Sequence, residues 1–408
     1  MDYIIGKVGT KMEELALYGG TPVFEQRIGY GHQYIDEADI QSVVDVLKSD
    51  FLTCGPKIKE AEEKLCDITG AKYAVLISNG TAALHAACSA ASLGEGDEVI
   101  TTPITFAASS NSVLYCGATP VFADIDYATY NIDPKSIEEK ITDKTKAIVA
   151  VDFTGQAVAL REIQAICKKH NLILIEDGAH SIGTKYDGIP VGNIADMTTF
   201  SFHPVKTVTS GEGGAIITND EELYKKLILF RAHGITREPQ LMINENQGGW
   251  YYEEISLGYN YRVTDIQAAL LSSQLDKLEG FVKRRKEIVE RYNQAFSQVP
   301  EIVLQEEIPE SDTARHLYII QLCLEKLTTD RKGIYDALVA ENVGCNVHYI
   351  PVYYFPYYQS LGYKKGLCPN AEKLYDRIIS IPLFYGMSDE DVDGVITAVK
   401  KVISYYRR

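Results

Sequence analysis

Lys206 and Asp177 are the residues whose types and spacing most directly suggest chemistry. Lys206 ends the segment Phe200-Ser201-Phe202-His203-Pro204-Val205-Lys206, just past an apolar run, and Gly211-Glu212-Gly213-Gly214 then turns the chain into AIITN. Asp177 stands one strand earlier, in Ile175-Glu176-Asp177-Gly178-Ala179-His180. A lysine amine can form a Schiff base, and a carboxylate can hold a pyridine nitrogen protonated. These are the two protein groups that a pyridoxal phosphate site requires. Taken singly, Lys206 reads as a solvated surface lysine and Asp177 as a cap for the next helix. The glycine-rich, polar strand ends around Lys206 weigh against the first of these. Ser78-Asn79-Gly80-Thr81-Ala82 adds a third element. Its small residues let the backbone approach a ligand, and free amides at a helix start favour a phosphate. Alone it is also an ordinary strand–helix turn capped by Asn79 or Thr81. A catalytic metal fits less well, because no second His/Asp cluster has ligand spacing.

Strand ends and helix starts must hold these residues, and the chain supplies both. From about residue 73 to 219, short β-branched runs alternate with amphipathic stretches. The candidate strands are YAVLIS (73–78), EVITT (98–102), TPVFA (119–123), AIVAV (147–151), LILIE (172–176), TTFSF (198–202) and AIITN (215–219). Each is short and nearly all apolar, as a strand covered on both faces must be. Between them, TAALHAACSAASL and REIQAICKKH carry helical spacing, and the second ends in basic residues that the helix dipole favours. This alternation predicts βαβ units and a mostly parallel sheet, an α/β fold that binds ligands beyond the C-terminal strand ends.

After about residue 260 the pattern changes. TDIQAALLSSQLDKLEGFVKRRKEIVERYNQAF predicts one long helical stretch, capped by Thr264 and broken or kinked at Gly280. RHLYIIQLCL, GIYDALVAEN and DEDVDGVITAVKKVISYY then predict a smaller α+β domain. The boundaries drawn are 26–265 for the large domain and 266–408 for the small one, with residues 1–50 partly packed against the latter.

Composition bounds the function classes. The 408 residues carry 40 basic and 56 acidic side chains, a net charge of −16. That excess argues against nucleic acid and anionic membranes as partners, though a local basic pocket could still take an anionic substrate. The eight cysteines are scattered without a CxxC pair, so they predict free thiols in a reducing cytoplasm, with no disulfides and no metal site. No apolar run is long enough for a membrane anchor.

The ordered set SNGTAALHAA, TTPITFAASSNSVLYCGATPVFADID, IEDGAHSIG, SFHPVKTVTSGEGG and GYNYRVTDIQAAL resembles the DegT/DnrJ/EryC1/StrS family of nucleotide-sugar aminotransferases. The likeness runs from LYGGTPVF (17–24) to the last helix. YGHQYIDEADI, SDFLTCGPKIKEAE, RAHGITRE, WYYEEISLGYNYR and NVHYIPVYYFPYY are most similar to its pseudaminic acid branch. The resemblance implies an aspartate-aminotransferase-like, fold-type-I pyridoxal phosphate transferase. Its large domain would hold a seven-stranded mostly parallel sheet, and it would work as a homodimer with shared active sites. The implied reaction moves the amino group of L-glutamate to C4 of a UDP-4-keto-6-deoxy-N-acetylhexosamine. UDP-4-keto-6-deoxy-D-GlcNAc or another nucleotide keto sugar is the alternative substrate.

Carried onto matching positions, the resemblance makes Lys206 the Schiff-base lysine and Asp177 the partner of the pyridine nitrogen, its pKa lowered by the cationic ring. His180, one helical turn on, would support that acid. Phe106 would stack on the cofactor ring and Gln156 would face it. Gly80, Thr81 and Ser201 would hold the phosphate, joined by Asn260 from the neighbouring subunit. Tyr30, the Asp50-Phe51-Leu52-Thr53 stretch, His348 and Tyr349 match positions near the sugar nucleotide. His203, Arg231, Arg237 and Arg262 are unranked candidates for the diphosphate and donor carboxylates. Singly, Phe106 would be core, His180 and His348 structural histidines, and Asn260 a turn residue. Two other classes bear weighing. Sugar dehydratases of the same family replace the lysine by histidine, so Lys206 favours transamination. A regulator that kept the fold would need a DNA-binding segment or a damaged site, and neither is visible.

Overall fold

In the computed structural model, which describes residues 14–408, all seven apolar runs become strands of one sheet. They are β1 Tyr73–Ile77, β2 Glu98–Thr101, β3 Thr119–Phe122, β4 Thr145–Val151, β5 Ile173–Asp177, β6 Met197–Ser201 and β7 Gly214–Thr218. The spatial order is β1-β7-β6-β5-β4-β2-β3. Only β7 runs antiparallel to its neighbours. Side-chain alternation sends Leu76, Ile148, Leu174 and Ile217 into one buried layer and Val75, Val149, Ile175 and Ile216 into the other, which is why each strand is apolar throughout.

Helices cover both faces: α1 Glu37–Leu47, α2 Pro56–Thr69, α3 Gly80–Ala90, α4 Ala108–Tyr115, α5 Leu160–His170 and α6 Glu221–Arg231. The expected single helix after Thr264 is two, α7 Asp265–Leu275 and α8 Leu278–Phe296. Thr264 does cap the first, in a capping box with Gln267. The break, however, falls at Asp276-Lys277, and Gly280 lies inside α8. Long-range partners set it. Lys277 Nζ reaches Asp36 at 2.9 Å and the buried Asp39 at 2.5 Å, and Gln274 Nε2 donates to Asp39 at 2.8 Å. These contacts pin the helix end to the start of α1.

The second unit is a three-stranded antiparallel sheet, β8 Ile302–Leu304, β9 Tyr318–Leu322 and β10 Ile378–Ile381. It packs with α8, α9 Arg331–Ala340 and α10 Asp389–Tyr406. Leu15 and Ile28 join its core. The Glu341 carboxylate fastens that N-terminal stretch, accepting from Ala16 N (2.9 Å), Val23 N (3.0 Å) and Lys401 Nζ (2.9 Å). α1 then crosses to pack on α7. Leu278 and Phe281 of α8 still belong to the first core, and Ile288 onward to the second. A cluster of Phe122, Phe153, Leu317, Ile319, Tyr353 and Tyr358 joins the two units. Among the described residues, no helix is long and apolar enough to cross a membrane.

Candidate active site

The C-terminal ends of β5 and β6, the starts of α3 and α4, and residues 346–350 of the second unit surround a cavity of about 940 Å³. Ten of the expected residues line it: Lys206, Asp177, His180, Gly80, Thr81, Phe106, Ser201, Tyr30, His348 and Tyr349.

Gly80 and Thr81 open α3, whose N-cap Asn79 accepts from Ala82 N at 2.8 Å. The first amides of a helix have no intrahelical acceptor, so this wall offers free N–H groups and the positive end of the helix dipole. Glycine is required for the approach: a Cβ on Gly80 would lie 2.8 Å from Ser201 Cβ, and one on Gly214 would lie 2.5 Å from Asn79 O. Ser201 thus faces the helix start across a gap that only glycine permits.

Asp177, 4% exposed, ends β5. Its Oδ2 accepts from Ser109 Oγ at 2.7 Å and its Oδ1 from Ala179 N at 3.2 Å. Burial raises its pKa, while Ser109, the Ala179 amide and the Lys206 cation hold the rise back. Burial lowers the Lys206 amine to about 8, with Asp177 pulling the other way. Phe106 is 63% exposed, its ring standing free in the cavity 6.4 Å from that of Tyr349. Tyr30 packs on His348 at 5.4 Å, and His348 Nδ1 lies 2.8 Å from Ser380 Oγ.

His180 lines the cavity without supporting Asp177, and this corrects the expectation. The turn that brings Ala179 N onto the carboxylate directs the imidazole elsewhere: Nε2 lies 3.3 Å from Tyr349 OH, and the ring packs 4.5 Å from that of His316. Desolvation holds its pKa well below the ordinary value, so it is neutral. The acid's side-chain partner is Ser109, which the sequence reading missed. Its signal was its place in the first turn of the helix that follows Phe106.

Gln156 does not face the cavity. Its Nε2 donates to Thr129 O and Glu306 O, both at 3.2 Å, and its Oε1 accepts from Ile308 N at 2.9 Å, so its amide ties the two units together. Asn260, Asp50, Phe51, Leu52 and Thr53 are exposed and lie outside this cavity. Asn260 pairs with Ala232 through its backbone, and Thr53 with Thr264. Of the unranked candidates, His203 lines the cavity, whereas Arg231 is not among the lining residues and is held by Glu62 (2.6 Å) and Leu76 O (2.7 Å). Lys206 is the one Lys or Arg among the lining residues.

The donor set fits pyridoxal phosphate. Helix amides and Ser201 suit a phosphate, Asp177 a pyridine nitrogen, Phe106 a ring face and Lys206 a carbonyl carbon. Two buried lining atoms, His180 Nδ1 and Thr199 Oγ1, also have no partner among the described residues, as polar groups awaiting a ligand would. No cluster of three or more His, Cys, Asp and Glu able to hold a metal occurs among them.

Comparison with known proteins agrees with this geometry. The model of the DegT/DnrJ/EryC1/StrS aminotransferase family matches residues 33–400. The spore coat polysaccharide biosynthesis protein SpsC of Bacillus subtilis is 42% identical, over 92% of this chain and 96% of its own. The UDP-4-amino-4,6-dideoxy-N-acetyl-β-L-altrosamine transaminase of Campylobacter jejuni is 37% identical, over 93% of this chain and 99% of its own. Helicobacter pylori PseC, an aminotransferase involved in the biosynthesis of pseudoaminic acid, superposes with a TM-score of 0.87 at 34% identity, covering 93% of this chain and all of that one.

Proposed function

The chain belongs to the DegT/DnrJ/EryC1/StrS aminotransferase family, whose members are pyridoxal phosphate enzymes, and from that premise we propose its substrate and its residue roles. The reaction is amination at C4 of a UDP-4-keto-6-deoxy-N-acetylhexosamine by L-glutamate, giving UDP-4-amino-4,6-dideoxy-N-acetyl-β-L-altrosamine. The observation that carries this reading is the meeting of the Lys206 amine, the Asp177 carboxyl and the α3 N-terminus in one cavity, together with near-full-length similarity to a transaminase of that product.

Gly80, Thr81 and Ser201 would hold the cofactor phosphate, Phe106 would cover its ring, Asp177 would pair with the pyridine nitrogen and Lys206 would stand at its carbonyl carbon. When bound, pyridoxal phosphate supplies the carbonyl that accepts an amino group and the ring that withdraws electrons from it. Lys206 Nζ takes the proton from Cα of the donor and, in the second half-reaction, delivers one to C4 of the sugar. Its pKa of about 8 leaves much of it neutral near that pH, so it can serve in both directions. Tyr30, His348 and Tyr349 form the sugar-nucleotide side.

A homodimer completes the site. Ile243 (80% exposed), Trp250 (73%) and Leu257 (78%) give the segment after α6 an uncovered apolar surface, and Asn260 lies beside it. A cavity with a single cation needs more positive charge for a diphosphate and a dicarboxylate, and the exposed Arg237 stands on that same segment. The neighbour's Asn260 and its residues 50–53 reach the phosphate and sugar in this arrangement. A monomer by sedimentation at micromolar concentration would overturn it. Eight free cysteines suit the cytoplasm as its setting.

The rival substrate is UDP-4-keto-6-deoxy-D-GlcNAc or another nucleotide keto sugar, and it stays open because the identity to the L-altrosamine transaminase, 37%, is below the 42% to a spore coat polysaccharide biosynthesis protein. The two hexosamines present the same polar groups in different directions, and each buried group left unpaired costs about 1–3 kcal/mol. The test is kcat/KM for both with glutamate as donor, followed by NMR of the product. At least tenfold preference for the L-altrosamine precursor is expected, and the reverse preference would overturn the substrate assignment.

A further inference from the structure

Asp177 is the buried acid on which the proposed chemistry turns, and the start of α4 supplies its partner. Ser109 and Thr105 are both buried, and Ser109 Oγ lies 2.7 Å from Asp177 Oδ2. A serine hydroxyl has one hydrogen to give. Two other acceptors lie within its reach, the Phe106 carbonyl at 3.4 Å and Thr105 Oγ1 at 2.7 Å, and the hydrogen goes to the carboxylate because that contact is both short and charge-assisted. Thr105 Oγ1 lies 2.7 Å from Ser109 Oγ. With the serine hydrogen committed, the threonine must be the donor in that pair. The row therefore runs one way, Thr105 to Ser109 to Asp177, while Ala179 N holds the other carboxylate oxygen.

We propose that Ser109, backed by Thr105, is the positioning residue for Asp177, orienting its carboxylate and favouring the ionised form where burial opposes charge. Among the groups around it, Lys206 is the cation, and His180 on the following turn stays neutral. Glu176, Tyr349 and Cys88 are acids whose own ionisation its charge opposes. Phe106 lies between Thr105 and Ser109, so the short segment leading into α4 sets both the ring in the cavity and the partner of the acid.

The inference rests on Asp177 serving the cofactor. Its test is a pH titration of the cofactor absorption band in purified holoenzyme, for the parent, Ser109→Ala, Thr105→Val and Asp177→Asn, with thermal unfolding in parallel. Removing a donor to the ionised form raises the acid's pKa, so Ser109→Ala should move the acid-side midpoint up by about one pH unit, roughly tenfold in proton affinity. Thr105→Val should move it the same way by less. It also carries the measurement if Ser109→Ala fails to hold cofactor, because it keeps the shape of residue 105. A serine that only supports the fold would lower Tm and leave the midpoint in place, and that result overturns the proposal. If Asp177→Asn shifts the band and neither hydroxyl variant does, this inference alone falls. If Asp177→Asn also titrates like the parent, the role of the acid falls with it.

Discussion

Glu176 and Asp177 are neighbours on β5, both withdrawn from water, yet they face opposite sides of the sheet and meet opposite company. Asp177 finds a hydroxyl, an amide and a lysine. Glu176 finds another acid, Asp152, and the two carboxyls face each other in full burial. Asp152 accepts from Ser181 Oγ at 2.6 Å and Val158 N at 3.0 Å, and Glu176 Oε2 accepts from Thr198 Oγ1 at 2.7 Å. Glu176 Oε1 has no hydrogen-bond partner among the described residues, and a proton held between the two carboxyls would supply one. Burial pushes both carboxyls up, Glu176 to about 7; the Glu176 charge adds to the rise at Asp152, whereas the bond between the two carboxyls holds Glu176 back. Burial alone thus does not decide a carboxyl's charge; its partners do. The cavity side holds an acid kept ready to ionise. The far side holds a proton-sharing clamp, and the Asp152 amide, donating to Asp177 O at 3.1 Å, ties the two together.

The sharpest break of this contrast is kinetic. Lys206→Ala should lower turnover by at least about 10³-fold and abolish cofactor trapped covalently by borohydride, and Asp177→Ala should lower turnover by about 10²-fold while retaining some cofactor. Trapping on another lysine, or full activity without Asp177, would remove the cavity side of the comparison. Next comes the clamp. A carboxyl raised in the folded chain binds its proton between the unfolded and folded pKa values, so its stabilising contribution is complete below about pH 4 and is lost as pH rises to about 7. Glu176→Gln imitates the protonated acid and removes that slope. Relative to the parent, its stability in urea should rise by about 2 kcal/mol between pH 5 and pH 8. Parallel stability curves would mean that no proton is shared. The smallest effect belongs to Thr198→Val, which loses one donor to Glu176: about 1 kcal/mol of stability, with kcat within about twofold of the parent. A large drop in kcat would show that the far side also acts on the chemistry.

The sheet was legible because each strand is covered on both faces and so is an apolar run between polar turns. Lys206, Asp177, Gly80, Thr81 and Ser201 were legible for a related reason: they stand where those runs stop, and a parallel sheet gathers its strand ends. The helix break at Asp276-Lys277 was not, because its cause is the pairing with Asp36 and Asp39 far away in the chain. Gln156 was misread because the turn before it cannot be seen in residue types alone. Thr154 and Gly155 take φ of 64° and 102°, sending the Gln156 amide into the junction between units. Ser109 was overlooked because a serine at a helix start is common, and its distinction is a partner on another strand.

The antiparallel β7 has a consequence for the order in which the protein is made. β1 sits at the sheet edge and its one sheet partner is β7, Tyr73 pairing with Thr218. During synthesis the chain therefore carries β1 without a strand to pair with until residue 218 has emerged, and Ser78 N waits further still for Tyr261 O. Pairings this distant close slowly, because loop entropy must be overcome before the contacts form. The cavity wall where Gly80 and Thr81 meet Ser201 is consequently translated in part early and assembled late.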